Sequence, residues 1–254
     1  MSCAINRIYW EDEGIRINGQ HLHTLGYADD IVLSTGLSLE INTKKTVLLS
    51  NIVNKNPIII NGSNINFVDN FVFLGSQISI PLDDSEEVKR KVGQAFGAFN
   101  KISSLLTCRQ LTMKKRKLLF DSCVTPVAPY AAETWTLKES DKKYFEVCQR
   151  RMERRMLRTT SLDRWQNERI RARTKLADWR KRILCLKMTW AEKIPQMNGN
   201  RWTRTITEWT PLEGKRSRGG RRQQWEDEIR ELAGTDLWHR DAEEWKILRS
   251  TLVT

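Results

Sequence analysis

Leu25-Gly26-Tyr27-Ala28-Asp29-Asp30-Ile31-Val32-Leu33 sets two carboxylates side by side, after an aromatic and a small residue and before an aliphatic run. The aliphatics favour strands, so the acidic pair falls at a tight turn between two of them. Along a regular strand neighbouring side chains point to opposite faces, and only a bend lets both carboxylates approach one site. Hard cations such as Mg²⁺ take carboxylate oxygens and complete their shell with substrate phosphates. Two such ions, about 3.5–4 Å apart, clamp the attacking and leaving oxygens of a phosphoryl transfer. As a bare dipeptide, Asp-Asp is equally an ordinary polar turn.

Outward from this turn, charge divides the chain. Its 254 residues are enough for one large domain or two small ones. Residues 1–100 carry 8 basic and 11 acidic side chains, net −3, whereas residues 101–254 carry 35 and 20, net +15. That asymmetry points to a polyanion partner for the second part, set against a merely solvated basic face. Cys3, Cys108, Cys123, Cys148 and Cys185 lack Cys-x-x-Cys spacing. This fits a reducing compartment and excludes a disulfide framework or zinc module. His21 and His23 share one strand face without a third ligand nearby. No apolar run reaches membrane-spanning length and no signal-peptide pattern opens the chain. An intracellular protein is expected, cytoplasmic and/or nuclear, with no membrane partner.

Residues 1–13 carry no clear pattern. Ile15-Arg16-Ile17, the Asn18-Gly19 turn and Gln20–Leu25 read as a hairpin leading into the acidic turn. Ile58-Ile59-Ile60, Asn61-Gly62, Ile65 and Phe67 read as another. Phe71–Ile78 reads as a buried strand with a glycine bulge. After Pro81 the period changes to that of helices. Asp84 and Glu87 have capping-box spacing, and Val88, Val92, Phe96, Phe99, Ile102 and Leu106 recur at three and four residues. Thr112 starts a second helix, stopped by Pro126 and Pro129. Ser140 opens a third, with Tyr144, Cys148, Met152 and Met156 as its apolar stripe. Arg150, Arg151, Arg154, Arg155 and Arg158 crowd its other side, with Glu146 and Glu153 in partial relief. Like charges four residues apart cost an isolated helix about 0.2–0.5 kcal/mol per pair, a cost that a phosphate backbone reverses. Asn167 or Asp163 starts the next helix and Ala177 another, a loose helix-turn-helix pattern, with Trp179 and Trp190 assigned to packing. Pro195–Gln224 reads as mobile. It holds Gly214-Lys215-Arg216-Ser217-Arg218-Gly219-Gly220-Arg221-Arg222, a polyanion tether or nuclear-localisation patch. Helices at Trp225–Ala233, ended by Gly234, and at Trp238–Leu252 complete the chain.

Five of these stretches, in this order, resemble the reverse transcriptases of non-LTR retrotransposons. Tyr27-Ala28-Asp29-Asp30 before Ile31-Val32-Leu33 resembles their catalytic hairpin. Leu37–Thr46 resembles the block whose lysines, here Lys44 and Lys45, lie near the incoming nucleotide. Phe71-Val72-Phe73-Leu74-Gly75 resembles the primer grip. Pro126–Trp135 resembles the segment after the palm, with Ala132 read at the glycine position. Trp202, Trp209, the glycine–arginine run and Trp225–Ile229 resemble the element's C-terminal region. The family's intervening palm helix has no room between Gly36 and Leu37, which implies an internal deletion.

The resemblance implies an α+β fold, with a small antiparallel palm-type sheet before a mainly helical remainder. It divides the chain into a partial palm (residues 1–80), a helical thumb and connection (81–195) and a basic, Trp-containing C-terminal region (196–254, flexible over 196–224). Asp29 and Asp30 would be catalytic and metal-binding, through Mg²⁺ or Mn²⁺. Tyr27, Ala28, Lys44, Lys45, Leu74 and Gly75 would lie beside nucleotide and primer. The five arginines of the third helix, with Lys215, Arg216, Arg218, Arg221 and Arg222, would contact RNA and DNA. Asp12 is the only earlier aspartate, and Trp10-Glu11-Asp12-Glu13 does not resemble the family's first-aspartate strand. The stretch before Tyr27 is too short for the fingers. An inactive fragment with weak or absent Mg²⁺ binding is therefore expected. The alternatives are a non-catalytic RNA- or DNA-binding protein and a gene model without selected function.

Overall fold

The computed structural model describes residues 15–17, 19–22, 24–27, 30–33, 46–49, 58–60, 62–80, 83–197, 202–208, 224–234 and 242–253. Strands come first and helices follow, so the chain is α+β. The strands are β1 (Ile15–Ile17), β2 (Gln20–Leu22), β3 (Thr24–Tyr27), β4 (Asp30–Leu33) and β5 (Leu48–Leu49), then β6 (Ile58–Ile60), β7 (Ser63–Ile65), β8 (Phe67–Val68), β9 (Asn70–Phe73) and β10 (Ser76–Ser79). Antiparallel hairpins join β1 to β2, β3 to β4, β6 to β7 and β9 to β10. Among the described residues these are separate two-stranded ladders, where one continuous sheet was expected. One ladder, β5 with β8, is parallel and is spanned by the β6–β7 hairpin. Strands of two to four residues bury little apolar surface, and a lone pair of strands is marginal in water. The β9–β10 pair leans on the rest of the chain, its Gly75 carbonyl accepting from Arg90 and Lys91.

That support is helical. The helices are α1 (Asp84–Lys101), α2 (Ser103–Leu106), α3 (Met113–Cys123), α4 (Glu139–Leu157), α5 (Asn167–Thr174), α6 (Trp179–Lys193), α7 (Trp202–Glu208), α8 (Asp227–Ala233) and α9 (Ala242–Val253). The start of α1 differs from the expected capping box. Asp83 is the cap and accepts from the Ser85 amide at 3.0 Å. Asp84 instead accepts from the Thr136 amide at 2.8 Å, and Glu87 turns inward toward Arg90. A tertiary partner claims Asp84, and a neighbour three residues on in the same helix claims Glu87, so neither carboxylate serves the helix end. Thr112 does cap α3, and Gly234 ends α8. Helix α7 lies inside the stretch read as mobile, and residues 209–223 are outside the described set.

The core is a chain of aromatic rings. Phe99 of α1 meets Phe120 of α3 edge-on at 6.2 Å, and Phe120 stacks on Trp179 of α6 at 6.2 Å. Trp179 meets Phe145 of α4 at 6.3 Å, and Phe145 stacks on Trp135 at 6.1 Å. All five rings are buried, with Val88, Val92, Met152 and Met156 filling between them. The buried stripe of α4 begins at Phe145. Tyr144, expected there, is 41% exposed. A second cluster, Met188, Ala191, Ile229, Ala233 and Trp245, packs α8 and α9 on the far end of α6. Trp179 thus packs as expected, while Trp190 is half-buried. The turn before Trp135 also differs in detail. Its left-handed residue is Ala131, at φ 62°, directly after Tyr130, whereas Ala132 is buried in a short 3-10 turn (Ala132–Thr134).

Replacing Trp179 by Ala should cost about 3–5 kcal/mol in denaturant unfolding, since it opens a cavity between three helices. Leu118→Ala, at a side chain 66% exposed, should change stability by less than about 0.5 kcal/mol. Asp83 supplies a pH signature. The Lys138 ammonium and the Ser85 amide hold its carboxyl down at about 2. A carboxyl whose folded pKa is depressed stabilises above its unfolded value and loses that contribution as pH falls. Stability should therefore drop between about pH 4 and about pH 2. Asp83→Asn, which keeps the cap, should flatten this part of the profile in denaturation curves taken across that range.

Candidate functional site

Three groups of residues bear on function. The first is the acidic turn. In the β3–β4 hairpin Tyr27 pairs with Asp30, Gly26 with Ile31 and Leu25 with Val32. Asp30 therefore opens a paired strand, one residue earlier than the turn reading placed the strand. Ala28 and Asp29 lie outside the described residues, as do Lys44, Lys45 and the Gly36–Leu37 junction. Two adjacent carboxylates are donors of the hard-oxygen type that Mg²⁺ prefers. Among the described residues no group of three His, Cys, Asp or Glu side chains gathers as a metal-ligand set.

The second group is the tip of the β9–β10 hairpin. Phe71–Ile78, a hairpin by resemblance and a bulged strand by residue pattern, forms the hairpin, with Phe73 paired to Ser76 across a two-residue turn in which Leu74 (φ 50°) and Gly75 (φ 77°) are left-handed. Such a turn matches strand twist but costs a side-chain-bearing residue about 1–2 kcal/mol. Helix α1 holds the tip in place. The Gly75 carbonyl accepts from Arg90 Nη2 and from Lys91 Nζ, each at 2.7 Å. Arg90 Nε donates to Glu87 at 2.6 Å, and Lys91 lies 4.3 Å from the Tyr130 ring centre. A methyl group on Gly75 would come within 3.1 Å of that ring. Burial pushes the Lys91 ammonium below its ordinary pKa, with Glu87 partly opposing. The hairpin's Phe71, Val72 and Ile78 are exposed. Arg90 and Lys91 were missed as partners of Gly75, as was Glu87, which pairs with both. The available signal was a lysine set directly between the buried positions 88 and 92.

The third group is the arginine row of α4, and it splits in two. Arg150 is buried and faces inward. Its Nη1 donates to both Glu153 oxygens at 2.5 Å and its Nη2 reaches Asp178 at 3.3 Å. Beside it Gln149 donates to the Ala177 carbonyl and accepts from the Trp179 amide. These two residues bolt α4 to the start of α6. Burial pushes Glu153 up, while Arg150 and Thr174 pull it back toward the charged form. Arg151 is exposed. Arg154 donates to Asn167, Arg155 to Asn100 and Arg158 to the Thr107 carbonyl, all neutral acceptors that leave the charge uncompensated. A cleft of about 450 Å³ opens between α4 and α5, lined by Lys143, Glu146, Arg154, Asn167, Arg171 and Asp178 among others. Lys215, Arg216, Arg218, Arg221 and Arg222 lie outside the described residues.

An uncharacterized transposon-derived protein of Caenorhabditis elegans is 30% identical to this chain over 257 residues, spanning 90% of each chain. The chain belongs to that transposon-derived family. No family model and no solved structure matches it. In this transposon-derived chain no helix among the described residues is long and apolar enough to cross a membrane.

The split within the arginine row is directly measurable. Arg150→Ala strands Glu153 as a buried, uncompensated carboxylate and should cost about 3–5 kcal/mol in chemical denaturation. Arg151→Ala, at an exposed position, should stay within about 0.5 kcal/mol of the parent chain.

Proposed function

We propose that this chain is a fragment of the RNA-directed DNA polymerase of a non-LTR retrotransposon, inactive in nucleotide addition by itself. The observation that carries this reading is the pairing of Tyr27 with Asp30 across the β3–β4 hairpin. The clasped Leu74–Gly75 tip and the transposon-derived relative support it. Asp29 and Asp30 would hold the metal ions, which when bound supply the Lewis-acid clamp on attacking and leaving oxygens. Two carboxylates alone hold Mg²⁺ weakly, because that ion relies on further oxygen ligands. Lys44 and Lys45 would stand near nucleotide phosphates, and the Leu74–Gly75 tip near the primer.

A second reading, a non-catalytic RNA- or DNA-binding protein, draws on a separate observation. Arg151, Arg154, Arg155 and Arg158 have no carboxylate partner among the described residues. Cations left uncompensated on one helix are suited to the phosphates of a polyanion.

A primed-template extension assay with Mg²⁺ or Mn²⁺ separates the two. No incorporation above the Asp29→Ala background is expected from this chain alone. Incorporation that disappears in Asp29→Ala would instead make it a working polymerase. In parallel, oligonucleotide binding should weaken steeply as salt rises. Replacing the four arginines by Ala should lower the slope of log K against log salt by about one per lost phosphate contact.

A further inference from the structure

The connection from α4 to α5 carries an arrangement that neither the core nor the acidic turn uses. Trp165 is half-buried and belongs to neither apolar cluster. The Arg169 guanidinium lies over its ring, 4.1 Å from the centre, four residues on. Leu162, three residues before it, is 88% exposed. The backbone between them is firmly shaped. Asp163 accepts from the Thr160 amide at 2.6 Å and from the Thr160 hydroxyl at 2.9 Å, closing a 3-10 turn over Ser161–Asp163.

Cations occupy the strained positions around this turn. Arg158 ends α4 at φ 56°, Arg164 precedes Trp165 at φ 50°, and Lys175 ends α5 at φ 52°. Helix ends of this kind commonly take glycine, and a side-chain-bearing residue there is a reason to look for function. Residues 150–182 hold 13 basic and 4 acidic side chains, net +9. Of those acids, Glu153 is paired to Arg150, and Asp178 to Arg171 and Arg150. Asp163 is occupied by Thr160, which leaves Glu168, exposed on α5, as the remaining acid of this stretch.

We infer that the Leu162–Arg169 segment is a base-stacking platform for single-stranded nucleic acid. A base lies against the Trp165 ring, beside Leu162, while Arg154, Arg158, Arg164 and Arg169 meet the adjoining phosphates. An aromatic ring backed by a guanidinium suits this role, because every base offers a π-face and the cation holds the backbone. A duplex keeps its bases stacked on one another and does not present those faces, so the platform selects single strands. This inference rests on the nucleic-acid-binding reading above and adds to it the strand state and the contact residues.

The test uses the full chain at fixed salt with two labelled single-stranded oligonucleotides of equal length and charge, one normal and one with abasic sites. The parent chain should prefer the base-bearing strand. Trp165→Ala should lose about tenfold in affinity for that strand and little for the abasic one, and Trp165→Phe should keep most of the preference. Unfolding midpoints should match across all three proteins, because Trp165 lies outside the core. Equal losses on both strands, or none, would overturn the stacking platform while leaving electrostatic binding intact. A parent chain that binds neither strand would overturn the binding reading itself and the platform with it.

Discussion

Four helices of this protein are held at fixed distances by one run of rings, Phe99, Phe120, Trp179, Phe145 and Trp135. Aromatic side chains bury large areas, and their pairs gain about 0.5–1.5 kcal/mol beyond area alone. Trp179 sits at the junction, touching Phe120 from α3 and Phe145 from α4. Its own helix runs on to the second cluster, so the rings set where α8 and α9 can pack. They also fix α1, and through α1 the hairpin whose tip is clasped by Arg90 and Lys91. The β9–β10 pair, too short to stand alone, is thereby ordered by a helical core.

Buried charge completes that framework at a cost. Lys142 and Lys187 are almost wholly buried, and both pair with Glu228 of α8, at 2.9 and 2.7 Å. Burial alone would push Glu228 up, but the two ammonium groups outweigh it and hold the carboxyl below its ordinary value. Trp225 adds a hydrogen bond from its indole to the Glu133 carbonyl at 2.6 Å. Helix α8 is thereby docked by directional bonds as well as apolar area. Such networks fix geometry more than they raise stability, since desolvation consumes much of the attraction. The Arg150–Glu153–Asp178 group does the same between α4 and α6.

Much of this was legible in the chain. The period-two runs, the Asn-Gly turns, Thr112 before α3 and Gly234 after α8 are local signals, and local geometry follows them. The β3–β4 hairpin was legible for the same reason, since its aliphatic runs flank a stretch with turn chemistry. The Leu74–Gly75 tip was named, but not what holds it. Lys91, Glu87 and Tyr130 are distant in sequence from that turn or hidden in a helix period that reads only as apolar or polar. Trp165 lies in the connection between two helices, and the Arg169 guanidinium over its ring is a contact that the sequence pattern alone does not mark.

The sequence by itself determined the α+β order, most helix and hairpin limits and the basic second half. All of these rest on interactions within a few residues or on summed charge. Only the tertiary structure decided that Asp84 serves Thr136 instead of its own helix, and that Phe145 and not Tyr144 faces inward. It likewise decided that Arg150 is structural while its neighbours keep their charge exposed. Helical spacing narrows a side chain to a face about a third of the circumference wide. Which residue on the edge of that face is buried depends on the neighbouring helix, and here Asp178 and the Trp179 ring made the choice.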